Sequence, residues 1–327
     1  MENRSIKALV LKAFNSYPTL DTLELPAPET DMAEIKVKAV GLNRRDFYIT
    51  QGLYPGVEFP VVMGSDVCGI YENKEVIVNP NINWGDNEAV QGDNYHILGM
   101  PTWGGMAEYV QVSKDRIHPK PPHLSLEEAS ALPLAGLTAF RAVKSKGNCK
   151  AGEKVLINGI GGGVATFAFQ FALAIGAEVY VTSGSDEKLQ KAIELGAKGV
   201  ANYKTENWHK ALAKESGGFD LIIDSAGGKG FANLAKLCRP AARIVFYGGT
   251  RGKIEGLSPQ ILFWRQVTIM GSTMGSDKDF EDMLAFVNTH KIIPIVDSVI
   301  DWNASDQAFE ILKTSSQMGK VVLKVGE

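Results

Sequence analysis

VLINGIGGGVATFAFQFALAIGAEVYVTSGS, residues 155–185, decides how the chain is read. A short apolar run leads into four glycines within five positions, Gly159, Gly161, Gly162 and Gly163, followed by a helical segment and a second β-rich run. That order is a strand, loop, helix and strand unit of the kind that binds a dinucleotide. Glycines remove Cβ atoms where the chain turns sharply, so a pyrophosphate can approach backbone N–H groups at the start of the helix, near Val164. The helix dipole favours the phosphate charge there. The strict G-x-G-x-x-G spacing does not fit, because Val164 and Thr166 stand three residues after Gly161 and Gly163. The spacing that does fit is Gly159-x-x-Gly162-x-x-Ala165, with Ala165 where the helix packs on the first strand. A tight surface turn is the alternative, and the β-rich and helical runs on either side weigh against it.

The second strand, Glu178 to Thr182, ends in Ser183-Gly184-Ser185. An NAD-preferring unit places Asp or Glu about 20 residues after the glycines to hold the ribose hydroxyls. A small uncharged turn instead leaves room for a 2′-phosphate, and Lys188 one helical turn later offers a cation, so NADPH is favoured over NADH. Asp186 argues the other way, but Ser185 or Asp186 also reads as the N-cap of the periodic segment Lys188 to Leu195. A solvated surface lysine is the alternative for Lys188.

With 327 residues, 45% hydrophobic and 22% charged, the chain exceeds the usual size of one core, and two domains are expected. A formal charge of -3 argues against nucleic acid or an anionic membrane as the main partner. MENRSIKALVLKAF lacks the apolar run of a signal peptide and no segment reaches transmembrane length, so the expected location is the cytoplasm. Cys68, Cys149 and Cys238 are far apart and show no C-x-x-C spacing, which reads as buried free thiols. Before residue 124 lie short β-type runs, Ile6–Lys12, Glu34–Val40, Glu75–Val78 and Ala107–Val112, and then a capping box at Ser125 and Glu128. From Val155 strands alternate with helices: Val155–Asn158, Glu178–Thr182, Gly199–Ala201, Leu221–Asp224, Arg243–Tyr247 and Val267–Met270. Six strands are the number in a full doubly wound sheet. A helix around Asp279–Thr289 and a last strand within Gly319–Val325 complete the pattern.

The signatures GLNRRDFYITQGLYP, VVMGSDVCGI, LPLAGLTAF, GIGGGVATFA, FDLIIDSAGG and GKVVLKV resemble the medium-chain dehydrogenase/reductase superfamily over essentially the whole chain. The glycine spacing and Gln51-Gly52-Leu53-Tyr54-Pro55 look most like its zinc-free quinone oxidoreductase branch. The resemblance implies an α/β protein with a GroES-like β-rich catalytic domain at 1–124, a doubly wound Rossmann NADP-binding domain at 125–289, and a return segment at 290–327. Zinc-dependent members carry Cys where this chain has Asn43, His where it has Ser65, and a third ligand near Leu134. None of these three is a normal zinc ligand. The family's four-cysteine lobe would fall around Asn79 to Leu98, which has no Cys, and His96, His118, His123, His209 and His290 show no ligand spacing. No metal is therefore expected.

Without a Lewis acid, the better substrate is one that already accepts hydride, a quinone or an α,β-unsaturated carbonyl, whose charge delocalises onto an oxygen. By resemblance, Asn43 and Tyr54 line the site and hold the carbonyl or deliver a proton, with Tyr48 a weaker candidate; packing over a turn is the alternative for Tyr54. Arg44 and Arg45 are read either as ion-pair partners of Asp46 or Asp66 or as groups favouring an acidic substrate. The resemblance also carries Thr138 to the nicotinamide or its ribose, Gly162, Gly163 and Val164 to the pyrophosphate, Ser183 and Lys188 to the 2′-phosphate, and Tyr203 to a place beside the adenosine phosphate. Ser225, Tyr247, Gly248 and Gly271 lie at or just after strand carboxyl ends, where open α/β sheets bind ligands. An enoyl-thioester or alkenal reductase and a catalytically idle, crystallin-like NADPH binder are the competing functions. The apolar edge strand Val267–Met270 suggests pairing into a homodimer, or a homotetramer.

Overall fold

A computed structural model describes residues 3–326. The chain forms two compact units: residues up to 137 together with those from 275 onward, and residues 138–274 between them.

The middle unit is a parallel sheet with spatial order Gly199–Asn202, Glu178–Ser183, Lys154–Asn158, Phe219–Asp224, Cys238–Phe246, Thr268–Gly271. Numbered along the chain this is 3-2-1-4-5-6, the doubly wound order, whose direction reverses between Lys154–Asn158 and Phe219–Asp224. Parallel strands covered on both faces need apolar side chains without alternation, and Val155-Leu156-Ile157, Val179-Tyr180-Val181 and Leu221-Ile222-Ile223 are all buried. Leu156, Tyr180, Phe219, Ile222, Phe231 and Ile244 belong to one core cluster, and Phe140, Phe167 and Phe171 form an aromatic group, with ring centroids 5.9 Å and 5.8 Å apart. The helix Gly163–Ile175 begins one residue before the expected Val164, with Gly162 as N-cap, and ends at Gly176 in the left-handed conformation. All six expected strands are present. The fifth starts at Cys238 rather than Arg243, because Pro240 and the positive φ of Ala241 interrupt its pattern and a register shift absorbs them.

In the outer unit the sheet runs Ile117–Pro119, Lys74–Val78, Asp66–Tyr71, Met32–Gly41, Lys320–Lys324, Val296–Asp301, and Tyr109–Ser113 also pairs with Met32–Gly41. A second, three-stranded sheet is formed by Thr19–Leu25, Arg4–Leu11 and Val61–Val62. Inward side chains of both sheets share one core that includes Leu9, Leu11, Ile35, Val37, Val67 and Phe309. The expected domain limits at 124/125 and 289/290 differ from those observed at 137/138 and 274/275. The helix Leu126–Ala131, capped reciprocally by Ser125 and Glu128, packs on Met32–Gly41, Asp66–Tyr71 and Lys320–Lys324. The helix Asp277–His290 sets Phe280 against His118 at 4.9 Å and Asp277 against Arg116 at 3.0 Å. Both helices bury their apolar faces in the outer unit, and that places them there despite their nearness in sequence to the parallel sheet.

Cys68, Cys149 and Cys238 are free and buried. Among the described residues no helix is long and apolar enough to cross a membrane.

Candidate functional site

In the middle unit, the carboxyl ends of three strands are tied by side chains. Asn158 Nδ2 donates to Asp224 Oδ1 (2.6 Å), Thr182 Oγ1 to Asn158 Oδ1 (2.6 Å), and Gly159 N–H to Thr182 Oγ1 (3.0 Å). Asp224 Oδ2 accepts the Gly227 N–H at 2.8 Å. These bonds fix the glycine loop at the point where the strand order reverses. Gly159 has φ of +85°, where a side chain would be strained. Nothing lies within 4 Å of where a Cβ on Gly159 or Gly162 would project. No side chain caps the helix that starts at Gly163 and continues through Val164, so its first-turn N–H groups are those that a pyrophosphate would fit.

At the end of the second strand Ser183 is buried and its Oγ accepts the Ser185 N–H at 3.2 Å. Ser185, not Asp186, is the N-cap, its Oγ accepting the Lys188 N–H at 3.4 Å. Asp186 Oδ1 accepts from Asn202 Nδ2 at 2.7 Å, so that carboxylate is bridged to the next strand. A Cβ on Gly184 would lie 2.8 Å from the Tyr203 ring and 2.9 Å from Lys204 Cε. Tyr203 and Lys204 therefore close over the same turn. Lys204 was not singled out from sequence; its signal is that it directly follows Tyr203 at the end of the neighbouring strand. Thr138 is buried with Oγ1 3.6 Å from Met274 Sδ. Tyr247 donates its N–H to Asp224 O at 3.0 Å, and its phenol, bonded to Ser225, is pushed up by burial. A Cβ on Gly248 would stand 2.8 Å from Ser225 O; these three residues cluster, whereas Gly271 pairs with Phe246 on the edge strand.

In the outer unit strand register assembles a second cluster. Gly41 pairs with Asp66 on one side and Val322 on the other, so Asn43, Asp66 and Lys320 converge just beyond that row. Lys320 Nζ donates to Asn43 Oδ1 and to Asp66 Oδ2, both at 2.7 Å. Asn43 Nδ2 donates to Asp66 Oδ2 (3.0 Å) and Ser65 Oγ (3.2 Å). Asp66 Oδ1 takes the Leu134 N–H at 2.7 Å, and Asp46 Oδ2 takes the Asn43 N–H at 2.7 Å. Lys320 is 3% exposed and Asp66 0%. Both N–H groups of the Asn43 amide are engaged inside the protein, which leaves no donor for a substrate carbonyl. Asn43 is instead the N-cap of the helix Arg44–Thr50 and fixes where that helix starts.

That helix presents Tyr48, half-buried with Phe47 beside it (ring centroids 6.4 Å apart), and leads to Tyr54, half-buried against the core. The Arg45 guanidinium stands over the Tyr54 ring at 5.2 Å. Neither arginine pairs with Asp66: Arg44 reaches Leu312 O and Ser315 Oγ, and Arg45 donates to Leu98 O at 3.0 Å. Burial pushes the Asp46 carboxyl up to about 6, with Arg45 opposing the shift. Lys320, the cation at the centre of the cluster, was not singled out either. The segment 79–98 keeps a short pair of strands, Asn81–Ile82 with His96–Ile97, around the buried Trp84. Among the described residues no group of three His, Cys, Asp or Glu side chains is placed to hold a metal ion.

Residues 29–122 match the family model of the alcohol dehydrogenase GroES-like domain, and residues 163–289 that of the zinc-binding dehydrogenase. A Leptosphaeria maculans protein named zinc-type alcohol dehydrogenase-like protein YogA is 36% identical, over 94% of this chain and 95% of its own length. The chain belongs to the medium-chain dehydrogenase/reductase superfamily. The quinone oxidoreductase of Rattus norvegicus is 31% identical to this superfamily member over 91% of each chain. The crystal structure of an NAD-dependent alcohol dehydrogenase superposes with a TM-score of 0.92 at 32% identity, covering 98% of this chain and 100% of the other. As a medium-chain dehydrogenase/reductase the protein is an oxidoreductase, with a GroES-like outer unit and a Rossmann-type middle unit.

Proposed function

We propose that the protein is a zinc-independent, NADPH-dependent reductase of quinones or α,β-unsaturated carbonyls. The observation that carries this is the Lys320 ammonium, buried 2.7 Å from Asn43 and Asp66, beside the two positions, Asn43 and Ser65, where the zinc branch has ligands. Zinc in proteins takes thiolate, imidazole or carboxylate. An amide and a hydroxyl next to a fixed positive charge do not fit it. Oxidising a simple alcohol means removing a proton of pKa about 16, the work a Lewis acid does elsewhere. A conjugated acceptor needs only hydrogen-bond donors for the charge that develops on its oxygen. Tyr54 is the donor we assign to that oxygen, with Tyr48 on the adjoining helix as the second candidate. The Arg45 cation over the Tyr54 ring holds the phenol in place. Asn43 acts through the helix it caps.

Gly162, Gly163 and Val164 hold the pyrophosphate, Thr138 the nicotinamide side, and Ser225, Tyr247 and Gly248 line the strand ends. The bound cofactor supplies the hydride. Ser183, Lys188, Tyr203 and Lys204 form the 2′-phosphate pocket: two lysines, a small turn and an Asp186 already bridged to Asn202 favour the phosphorylated ribose. The unpaired edge of Thr268–Gly271, near the exposed Phe263 and Trp264, suits pairing with a second copy.

NADPH oxidation with 1,4-benzoquinone, 9,10-phenanthrenequinone and a short 2-alkenal, after chelation and with NADH in parallel, tests the proposal. Turnover that survives chelation and prefers NADPH is expected. Loss of turnover on chelation, or NADPH binding without turnover of any acceptor, would refute it.

A further inference from the structure

Two enclosed polar atoms beside Tyr54 have no hydrogen-bond partner among the described residues, Arg45 Nε and Tyr95 Oη. They come from separate segments. Arg45 lies in the first turn of the helix Arg44–Thr50 and is 8% exposed, its Nη1 fixed on Leu98 O at 3.0 Å and its guanidinium stacked over Tyr54 at 5.2 Å. Tyr95 follows a tight turn in which its own N–H bonds Gly92 O at 3.1 Å, and its ring stands edge-on to the buried Trp84 at 5.3 Å. Rigid supports on both sides mean that neither side chain can swing away to find another partner. The two belong together in space, since Arg45 is fixed on Leu98, three residues along the chain from Tyr95. Burial pushes the Tyr95 phenol up and keeps it protonated, a donor, at neutral pH, with the Tyr54 charge adding to the shift and the Arg45 charge opposing it.

An enclosed donor with no acceptor carries a desolvation cost that nothing offsets, and folded proteins keep few of them. Here two donors, one of them cationic, sit beside the same phenol. The group that satisfies both is an oxygen, and a cation with a phenol suits an anionic one. Asp46, the neighbouring carboxylate, keeps Oδ2 on the Asn43 N–H at 2.7 Å and holds the start of its own helix; its Oδ1 is likewise enclosed without a partner and makes no hydrogen bond to Arg45 Nε or Tyr95 Oη. We propose that Arg45 and Tyr95 form an anion-binding subsite next to Tyr54, which selects enones bearing a carboxylate on the alkene carbon farther from the carbonyl. This rests on the reductase assignment and narrows its substrate class: Tyr54 meets the carbonyl that gains charge, and Arg45 with Tyr95 holds the carboxylate.

A matched pair of enones tests it, 3-penten-2-one and 4-oxo-2-pentenoate, which differ by a carboxylate in place of the terminal methyl. The wild-type protein should favour the carboxylate in kcat/KM by about tenfold or more. Tyr95→Phe and Arg45→Met should each reduce that ratio about tenfold. Tyr95→Phe should do so without lowering the Tm, because the hydroxyl it removes has no partner in the fold. Equal kcat/KM for the two enones in the wild type, or a ratio unchanged in both variants, overturns the subsite. A lower Tm in Tyr95→Phe with both enones affected alike also overturns it, since the hydroxyl would then be held by water for structure. Calorimetric titration with 4-oxopentanoate, the saturated and unreactive analogue, separates this from the reductase assignment. Binding that Arg45→Met abolishes supports the subsite even if neither enone is reduced. No binding by the wild type overturns it.

Discussion

Replacing Lys320 with methionine removes the charge at the centre of the Asn43–Asp66 cluster while keeping most of the side-chain volume. At 2.7 Å from Asp66 Oδ2, the pair attraction is about 6 kcal/mol at an effective dielectric of 20, against a desolvation cost of several kcal/mol for each ion. The intact pair is therefore close to neutral for stability. Taking away one member leaves the other buried and uncompensated, which costs about 3–5 kcal/mol. Asp66 would still accept from Leu134 N–H and Asn43 Nδ2, so Lys320→Met should fall at the lower end, about 3 kcal/mol. Asp66→Asn should cost slightly more, because Lys320 would retain only Asn43 Oδ1. The double variant should recover much of the loss, to within about 2 kcal/mol of wild type. Urea unfolding followed by tryptophan fluorescence reads this cycle, with Trp84, Trp103 and Trp302 all in the outer unit. Two results refute the reasoning: a Lys320→Met protein within about 1 kcal/mol of wild type, or single-variant losses that simply add in the double.

Asp46 has a carboxyl raised from its ordinary 3.8 to about 6. The folded state then binds the proton more tightly than the unfolded one, so the stability this group contributes is present at acid pH and is lost as pH climbs from about 4 to 6, by up to about 3 kcal/mol. Asp46→Asn should flatten that part of the stability profile, and urea midpoints that run parallel in both proteins between pH 4 and 7.5 would contradict the assignment. Lys204→Ala should raise the KM for NADPH about tenfold or more, the worth of one charge-assisted hydrogen bond, while KM for NADH stays within about twofold; steady-state kinetics with both cofactors decides. Cys68, Cys149 and Cys238 are buried, with thiols pushed up to about 12, 11 and 12, so native protein should not react with Ellman's reagent at pH 8 and denatured protein should release three equivalents. A thiol titrating in the native state would place one of them in contact with solvent.

The middle unit was legible because its signals are local. Each parallel strand is an apolar run bounded by turn residues, and Gly159 to Gly163 mark the place where strand gives way to helix. The Ser125 and Glu128 capping box was legible for the same reason, since its two bonds span three residues. What that box could not reveal was which unit its helix serves, because the apolar face of Leu126–Ala131 meets strands distant in sequence. Lys320 escaped notice for a stronger version of this reason. It stands 277 residues from Asn43, inside GKVVLKV, a run that reads only as a strand. The row Asp66, Gly41, Val322 that places it exists only once the antiparallel register is known. The engagement of the Asn43 amide is hidden for the same cause: an asparagine reads as a free donor until its partners are counted. Tyr95 and Lys204 follow turns whose residues show a bend without showing what the bend brings near.

The discontinuity of the outer unit gives the order of synthesis a structural meaning. Residues 138–274 are contiguous, so at about 5–20 residues per second a ribosome releases the whole dinucleotide unit before the strand Lys320–Lys324 has been made. During that interval Asp66 and Asn43 have no cation, and Met32–Gly41 has no neighbour on the side that Lys320–Lys324 will take. The parallel sheet can close while the chain is still growing. The sheet that carries Lys320 is completed only later, by a strand synthesised after every strand of the parallel sheet.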